Sequence, residues 1–246
     1  MNIIEELRQN LFLEEYPKFF DLQNVDFNFP HTHLQEKVID AIFKNIDSDF
    51  YLEIGTMHGG SAIAVAEYVK KNNLKTKIVC IDPFCGDVNM WAWEKDKKIK
   101  NEWNYLNLKN GRPQIYETFL SNIKYTNNEN NIIPICATSS IGIHLIKRLH
   151  KENRISKLPN IIYLDSAHIE GETYFELQKA YSLLTKGGIL YGDDFGWRAV
   201  KNDVLKFIET IQINQELTYS IKENLGIEEV IFGKLLVYRN HWLICK

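Results

Sequence analysis

The sequence has little of what marks several large protein classes. None of its apolar runs approaches the roughly 18 residues that a membrane-spanning helix needs. Its 29 basic residues are interspersed with 32 acidic ones, so it has no basic stripe of the kind that binds nucleic acid. It also has no internal repeat or low-complexity tract. These absences exclude a membrane span and argue against a nucleic-acid partner.

The chain has only four cysteines, and none of them forms a CxxC pair. Cys80 and Cys136 lie inside apolar, strand-like runs, as reduced and buried thiols do in a reducing compartment. Cys85 follows an Asp-Pro in a loop, so a nucleophilic role for its thiol stays open. The N-terminus, MNIIEELRQNLFLEEYP, has acids where a signal peptide has a basic end. We therefore expect a cytoplasmic protein.

Strand-like and helix-like stretches alternate through most of the chain. The strand-like runs are residues 49–55, 77–82, 131–137, 160–165 and 187–194. The helical patterns cover residues 60–72, 141–153, 171–184 and 197–211. Strands that are apolar on both faces and separated by helices predict an α/β fold with a doubly wound, mostly parallel sheet. Residues 228–240 hold two strand-like pieces without a helix between them, which predicts an antiparallel C-terminal strand pair.

At 246 residues the chain fits one domain, 1–246, with two regions outside this alternation. Residues 1–47 include an amphipathic helix at 33–46 and are expected to cover one end of the sheet. Residues 83–130 are a long insertion with four nearby aromatic residues: Trp91, Trp93, Trp103 and Tyr105. Insertions of this length without a strand are often lids or binding loops. The aromatic residues predict either packing onto the body of the domain or a roof over a substrate.

Residues 51–66, YLEIGTMHGGSAIAVA, have the pattern of a strand, a glycine turn and a helix. Such a turn lets the backbone approach a ligand, and the free amides of the helix attract negative charge. Met57 occupies the place of the middle glycine that admits a pyrophosphate in dinucleotide-binding turns. Glu53, at the lip of the turn, would repel a diphosphate but suits an ammonium or sulfonium. The pattern therefore favours S-adenosylmethionine over a nicotinamide dinucleotide. We expect valine at Gly59 to block the turn and leave the core intact.

Asp82 ends the second strand-like run. A carboxylate there can accept hydrogen bonds from both ribose hydroxyls of a bound nucleoside. The alternative is a turn residue before Pro83.

Four motifs follow in order at strand ends: E-x-G-x-x-x-G-G-S at 53–61, IDPF with Asp82, DSAH at 165–168, and GGILYGDDF at 187–195. Over roughly residues 50–210 the chain resembles class I S-adenosylmethionine-dependent methyltransferases. Within that class it resembles the metal-dependent small-molecule O-methyltransferases related to the macrolide-sugar enzymes, and more distantly the catechol type. On this basis we expect eight residues to bind the cofactor: Glu53, Gly55, Gly59, Gly60, Ser61, Asp82, Thr138 and Ser139. The last two follow the third strand, where this class usually contacts the adenine.

Three carboxylates end two strands that neighbour each other in this fold class. Asp165 ends the fourth strand, and Asp193 and Asp194 end the fifth. Such a cluster repels itself unless it is protonated or holds a cation. Oxygen ligands without cysteine or paired histidine indicate Mg²⁺, with Mn²⁺ or Ca²⁺ as substitutes, and the resemblance implies the same site. The alternative is that these aspartates cap the helices that follow them.

His168 stands three residues after Asp165. The D-x-x-H arrangement carries the general base in the sugar O-methyltransferases that this chain resembles, so His168 is expected to take the proton of the acceptor hydroxyl. An uninvolved histidine at a helix end is the alternative. Trp197 lines either the acceptor pocket or the core. The other histidines carry no comparable motif and are assigned structural roles.

The favoured function is methyl transfer to a hydroxyl of a small molecule, preferably a sugar or glycosylated metabolite, with catechol-like phenols next. Two other functions stay open: a different metal-dependent enzyme on this scaffold, similar to cephalosporin hydroxylases, and a non-catalytic S-adenosylmethionine-binding module. We expect a small-molecule acceptor as partner and neither membrane nor nucleic acid. The sequence leaves a homo-oligomer open.

Overall fold

The computed structural model describes residues 1–12, 17–18, 32–93, 106–166 and 168–246. In these residues seven strands form one sheet in the order β3-β2-β1-β4-β5-β7-β6. The strands are β1 Phe50–Ile54, β2 Lys77–Asp82, β3 Ile132–Cys136, β4 Ile161–Leu164, β5 Ile189–Gly192, β6 Leu236–Tyr238 and β7 His241–Cys245. The helices are α1 Ile3–Leu11, α2 Glu36–Phe43, α3 Gly60–Lys71, α4 Val88–Trp93, α5 Ile115–Tyr125, α6 Ser139–Lys151, α7 Glu172–Leu183, α8 Arg198–Glu209 and α9 Gln215–Leu225.

The first five strands pair in parallel, as the sequence predicts. All residues of β1, β4 and β5 are buried, because helices cover both faces of the sheet. The α/β fold class is therefore confirmed, including the antiparallel pairing of β7 with β5 and β6. None of the described helices is long and apolar enough to cross a membrane.

The C-terminal pair lies further along the chain than the sequence pattern predicts. Residues 228–233 form no strand; Ile231 makes only an isolated bridge to Leu235 around a turn in which Phe232 and Gly233 have positive φ. The pair is β6 and β7, and β7 inserts between β5 and β6. Every residue of β7 is buried, so its position in the sheet comes from tertiary packing rather than from an alternating pattern.

Two hydrophobic clusters cover the two faces of the sheet. In β1, Tyr51 belongs to the first cluster while its neighbours Phe50 and Leu52 belong to the second. This alternation follows from the two-residue period of a strand.

The N-terminal region and the insertion both contribute to these clusters. Helix α1 packs on the second cluster through Ile3, Ile4 and Leu7, whereas α2 packs on the first. Helix α5, in the insertion, is part of the core, with Phe119 and Ile123 fully buried. The second half of the insertion is therefore the crossover helix from β2 to β3. A lid remains a prediction for the earlier part of the insertion. Trp103, Tyr105 and the side chain of Trp93 lie outside what the structure describes.

Candidate functional site

The carboxyl ends of the parallel strands border a cleft of about 690 Å³. Most of the site residues predicted from the sequence line it: Gly55, Gly60, Ser61, Asp82, Thr138, Ser139, Asp165, His168, Asp193 and Asp194. Glu53 and Gly59 do not. Residues from five separate strand ends and turns thus meet at one edge of the sheet, where open parallel sheets bind ligands.

Glu53 lies one layer below this cleft. In the sheet register it is level with Cys80 on β2 and Tyr163 on β4, whereas Asp82 and Asp165 stand two residues further along their strands. Glu53 is fully buried, and its Oε1 accepts a hydrogen bond of 2.8 Å from the Ser61 hydroxyl. Burial raises the pKa of Glu53 to about 8, and the Thr56 and Ser61 hydroxyls oppose this rise. The role of Glu53 in cofactor binding remains a prediction. Glu53 contacts the cleft through Ser61, which lines it.

The glycines of the turn have different tasks. Gly55 has φ +81°, and a Cβ there would lie 2.2 Å from the backbone oxygen of Asp165. Glycine is therefore required where the turn touches the loop after β4. Met57 occupies a left-handed conformation, with φ 48°.

Gly59 faces the core rather than the cleft. It has φ +88°, and an added Cβ would lie 3.0 Å from the ring of Phe119 on α5. The expectation that valine at this position leaves the core intact is therefore wrong, because the new side chain would press on Phe119.

Asp82 holds the glycine turn against β2. Its Oδ2 accepts hydrogen bonds from the backbone amides of Thr56 at 2.8 Å and Met57 at 2.9 Å, and its Oδ1 accepts one from Phe84 at 2.6 Å. A carboxylate has about four acceptor sites, so roughly one remains for a ligand. Asp82 therefore does act as a turn residue. Accepting hydrogen bonds from both ribose hydroxyls would need more acceptor sites than its carboxylate still has.

The three aspartates predicted as metal ligands cap none of the described helices. Among the described residues, no side chain caps helix α8 at Trp197. At the start of α7, the Asp203 carboxylate accepts hydrogen bonds from the amides of Gly171 and Tyr174. The capping alternative for Asp165, Asp193 and Asp194 is thus absent from the described residues.

Potential metal-ligand atoms of Asp165, His168 and Asp194 all lie within 4.8 Å of one another. Burial, followed by the charges of Asp194 and Asp193, raises the pKa of Asp165 to about 7. Asp193 turns away from this group, since its Oδ1 accepts a hydrogen bond from the Asp194 amide at 2.8 Å and lies 3.4 Å from His241 Nδ1. The structure therefore brings two of the three predicted carboxylates together, with His168 in the third place.

His168 lies between two carboxylates. Its Nε2 is 2.6 Å from Asp194 Oδ2, and its Nδ1 is 3.3 Å from Asp87 Oδ2. Burial alone would lower the pKa of His168, but its hydrogen bonds to Asp194 and Asp87, together with the charges of Asp194 and Asp165, raise it to about 10. In this arrangement the imidazole is protonated at neutral pH and balances the negative charge of the cluster. A role as general base requires that a cation take over this balance.

Sequence reasoning missed Asp87 and Glu176. Asp87 follows β2 and lines the cleft beside His168. Glu176 on α7 also lines the cleft and accepts a hydrogen bond of 2.6 Å from the Ser166 hydroxyl. The argument from strand ends could have found Asp87, because it lies in the loop after β2. No local signal points to Glu176, which the packing of α7 places there.

Trp197 lies beside the acidic group and outside the core. Its side chain is 41% exposed, and its ring centroid is 5.0 Å from that of His168. Core packing, one of the two roles predicted for Trp197, is therefore wrong.

Comparisons with known proteins agree with this architecture. A family model that describes a methyltransferase domain matches residues 52–195, more than half of the chain. No curated protein matches the sequence. Among solved structures, CalS11, a calicheamicin methyltransferase, is 14% identical over 84% of this chain and 76% of its own, with a TM-score of 0.50.

Two further solved structures match this chain with TM-scores below 0.50. The O-methyltransferase from Bacillus cereus in complex with SAH is 14% identical over 99% of this chain and 90% of its own, with a TM-score of 0.45. The O-methyltransferase NovP is 12% identical over 86% and 76%, with a TM-score of 0.47. At these identities the likeness to CalS11 concerns the fold alone. Because the family match runs from β1 through the acidic pair after β5, the chain belongs to the methyltransferase-domain family and is a class I S-adenosylmethionine-dependent methyltransferase.

Proposed function

We propose that this methyltransferase transfers the methyl group of S-adenosylmethionine to a hydroxyl of a small molecule, with the help of a divalent cation. A sugar or glycosylated metabolite is the preferred acceptor. The observation that carries the proposal is that one cleft contains both the glycine turn and the group of Asp165, His168 and Asp194. Donor and acceptor can therefore meet in a single space.

The cofactor fits the side of the cleft formed by the glycine turn. The backbone amides at the start of α3 suit a single carboxylate. Asp82 has one acceptor site left for a ribose hydroxyl, and Thr138 and Ser139 line the side where this fold class holds the adenine. The turn carries no middle glycine for a pyrophosphate, since Met57 occupies that position.

The chemistry of the donor set fits a divalent cation. Asp165 and Asp194 would hold it, with His168 or Asp193 as a further ligand, and an imidazole among carboxylates suits Mn²⁺ as well as Mg²⁺. When bound, the cation would supply positive charge that lowers the pKa of an acceptor hydroxyl. Asp165 and Asp194 then orient the acceptor side, and His168 takes the hydroxyl proton if its Nε2 is free.

The exposed apolar side chains on the acceptor side of the cleft favour a sugar over a purely polar metabolite. Trp197 offers a half-exposed ring next to the acidic group, and Val88 and Ile169 are exposed apolar side chains on the cleft wall. A pyranose has C–H faces that pack on an aromatic ring and neighbouring hydroxyls that can chelate a cation. A catechol shares these two properties, so acceptor panels must contain both.

Turnover with and without chelator tests the proposal. We expect methylation of a glycoside or catechol panel to stop in EDTA and return when Mg²⁺ or Mn²⁺ is added in excess. Mass spectrometry of the product and quantification of S-adenosylhomocysteine measure the reaction. Full turnover in EDTA would show that the aspartates act without a metal.

Matched variants assign the third ligand. If His168 is the base, His168→Ala should lose roughly 10²–10⁴-fold in kcat while Mn²⁺ binding is unchanged. If His168 is a ligand, the same variant should lose Mn²⁺ affinity as well. Asp193→Asn is the matched variant for His168→Ala, because each of the two removes one of the two candidate third ligands. Calorimetric titration with Mn²⁺ separates these results.

A further inference from the structure

We propose that Asp87 is a positioning residue for His168: its carboxylate fixes the imidazole ring so that Nε2 faces Asp194 and the acceptor side of the cleft. This inference rests on the proposed function. Asp87 carries none of the motifs that relate this chain to other methyltransferases, and the role follows from where the loop after β2 places its side chain.

Asp87 is itself held in place by the segment that follows it. Its Oδ1 accepts a hydrogen bond of 2.8 Å from the backbone amide of Met90, which caps the start of α4. Its Oδ2 receives a weak hydrogen bond of 3.4 Å from the Asn89 side chain and lies 3.3 Å from His168 Nδ1. One oxygen therefore anchors the carboxylate, and the other is directed at the histidine.

This contact determines which ring nitrogen is available. A carboxylate at Nδ1 keeps a proton on that nitrogen, so Nε2 is the atom that can accept a proton or bind a cation once a cation takes over the charge balance at Asp194. Nε2 is the nitrogen that lies 2.6 Å from Asp194 Oδ2. The ring of Trp197, at 5.0 Å between centroids, limits rotation from the side. Asp87 therefore matters whether His168 serves as base or as ligand.

A simpler role for Asp87 is capping α4 alone. The two roles differ in what a replacement must supply. Serine provides an oxygen for the Met90 amide but is one bond shorter than aspartate and carries no charge toward His168. Asparagine keeps the cap and places either an amide oxygen or an NH₂ group at Nδ1, without the carboxylate.

The experiment compares wild type with Asp87→Ser and Asp87→Asn, and uses Asp47→Ser as a matched control at an exposed loop aspartate. The first readout is the ¹⁵N spectrum of histidine-labelled protein with S-adenosylhomocysteine and Mg²⁺, in which the His168 signals are assigned by their loss in His168→Gln. We expect both Asp87 variants to change the protonation pattern of the two His168 nitrogens, and Asp47→Ser to leave it as in wild type. The second readout is turnover: kcat should fall roughly 10- to 100-fold while KM for S-adenosylmethionine stays unchanged.

A wild-type histidine spectrum in Asp87→Ser, or a kcat within twofold of wild type, would overturn the proposal and leave α4 capping as the role of Asp87. If wild type methylates none of the acceptors tested, the proposed function fails instead. The spectrum still decides in that case whether Asp87 orients His168, because it requires no acceptor.

Discussion

At the scale of single residues, Glu53 shows how burial changes the meaning of a motif. The acid of the first motif lies under the turn, level with Tyr163, and bonds Ser61. Its other oxygen, Oε2, is buried and has no hydrogen-bond partner in the part of the chain that the structure describes. A carboxyl in this position is more stable neutral than charged, which is why its pKa rises to about 8. The residue therefore links pH to the stability of the fold.

Glu53→Gln should change how stability depends on pH. In wild type the unfolded glutamate ionises near its ordinary pKa of 4.5 while the folded one stays protonated until about pH 8. The stabilising contribution is thus fully present below about pH 4.5 and is lost as pH rises to about 8. A shift of this size corresponds to on the order of 5 kcal/mol at most. The free energy of unfolding of the variant, measured with urea at pH 5 and pH 8.5, should fall less between the two than that of wild type.

The exposed Glu216 on α9 offers a matched control for this substitution. Glu216→Gln should follow the wild-type pH curve. Parallel curves for wild type and Glu53→Gln would mean that Glu53 ionises in the folded protein as it does in water.

At the scale of elements, the glycine turn is as much a packing device as a ligand site. Gly55 meets the backbone after β4, Gly59 meets a side chain of α5, and Asp82 ties the turn to β2. The first motif thus connects three parts of the fold. Its spacing reflects these contacts together with the needs of a cofactor.

Alanine at three glycines should give graded losses of stability. All three have positive φ, which costs about 1 kcal/mol for alanine. Gly111→Ala should lose only that amount, since none of the described residues lies within 4 Å of its Cβ position. Gly59→Ala should lose roughly 2 kcal/mol because Phe119 must shift, and Gly55→Ala about 3–5 kcal/mol because a backbone carbonyl cannot. Urea unfolding midpoints measure the series, and equal losses at all three sites would contradict this account.

At the scale of the whole molecule, the cleft depends on the order of the strands. Strand β1 lies between β2 and β4, so the glycine turn, Asp82 and Asp165 come from three adjacent strands. The end of β5 adds Asp194, and the turn before β7 supports it from the other side through Asn240, whose side chain donates to Asp194 Oδ1 at 3.1 Å. Ligand binding at this edge should therefore stabilise the whole fold.

S-adenosylhomocysteine should raise the melting temperature. At 100 times its dissociation constant a ligand adds about 2.7 kcal/mol, which in a protein of this size corresponds to roughly 5–10 °C. Thermal unfolding followed by fluorescence measures the shift. NAD⁺ at the same concentration is the control and should give none, because Met57 replaces the glycine that a pyrophosphate needs. A larger shift with NAD⁺ than with S-adenosylhomocysteine would contradict the assignment of the cofactor.

By itself, the sequence determined the α/β class, the five parallel strands and the cleft-lining residues at their ends. These follow from local rules: apolar runs that alternate with helical patterns, and strand ends that meet at one edge. Only the tertiary structure decided that Glu53 lies below the cleft, that Gly59 faces Phe119, and that His168 rather than Asp193 joins Asp165 and Asp194. Depth in the sheet, the direction of a Cβ and the convergence of side chains depend on register and on packing between distant segments, which no local pattern contains.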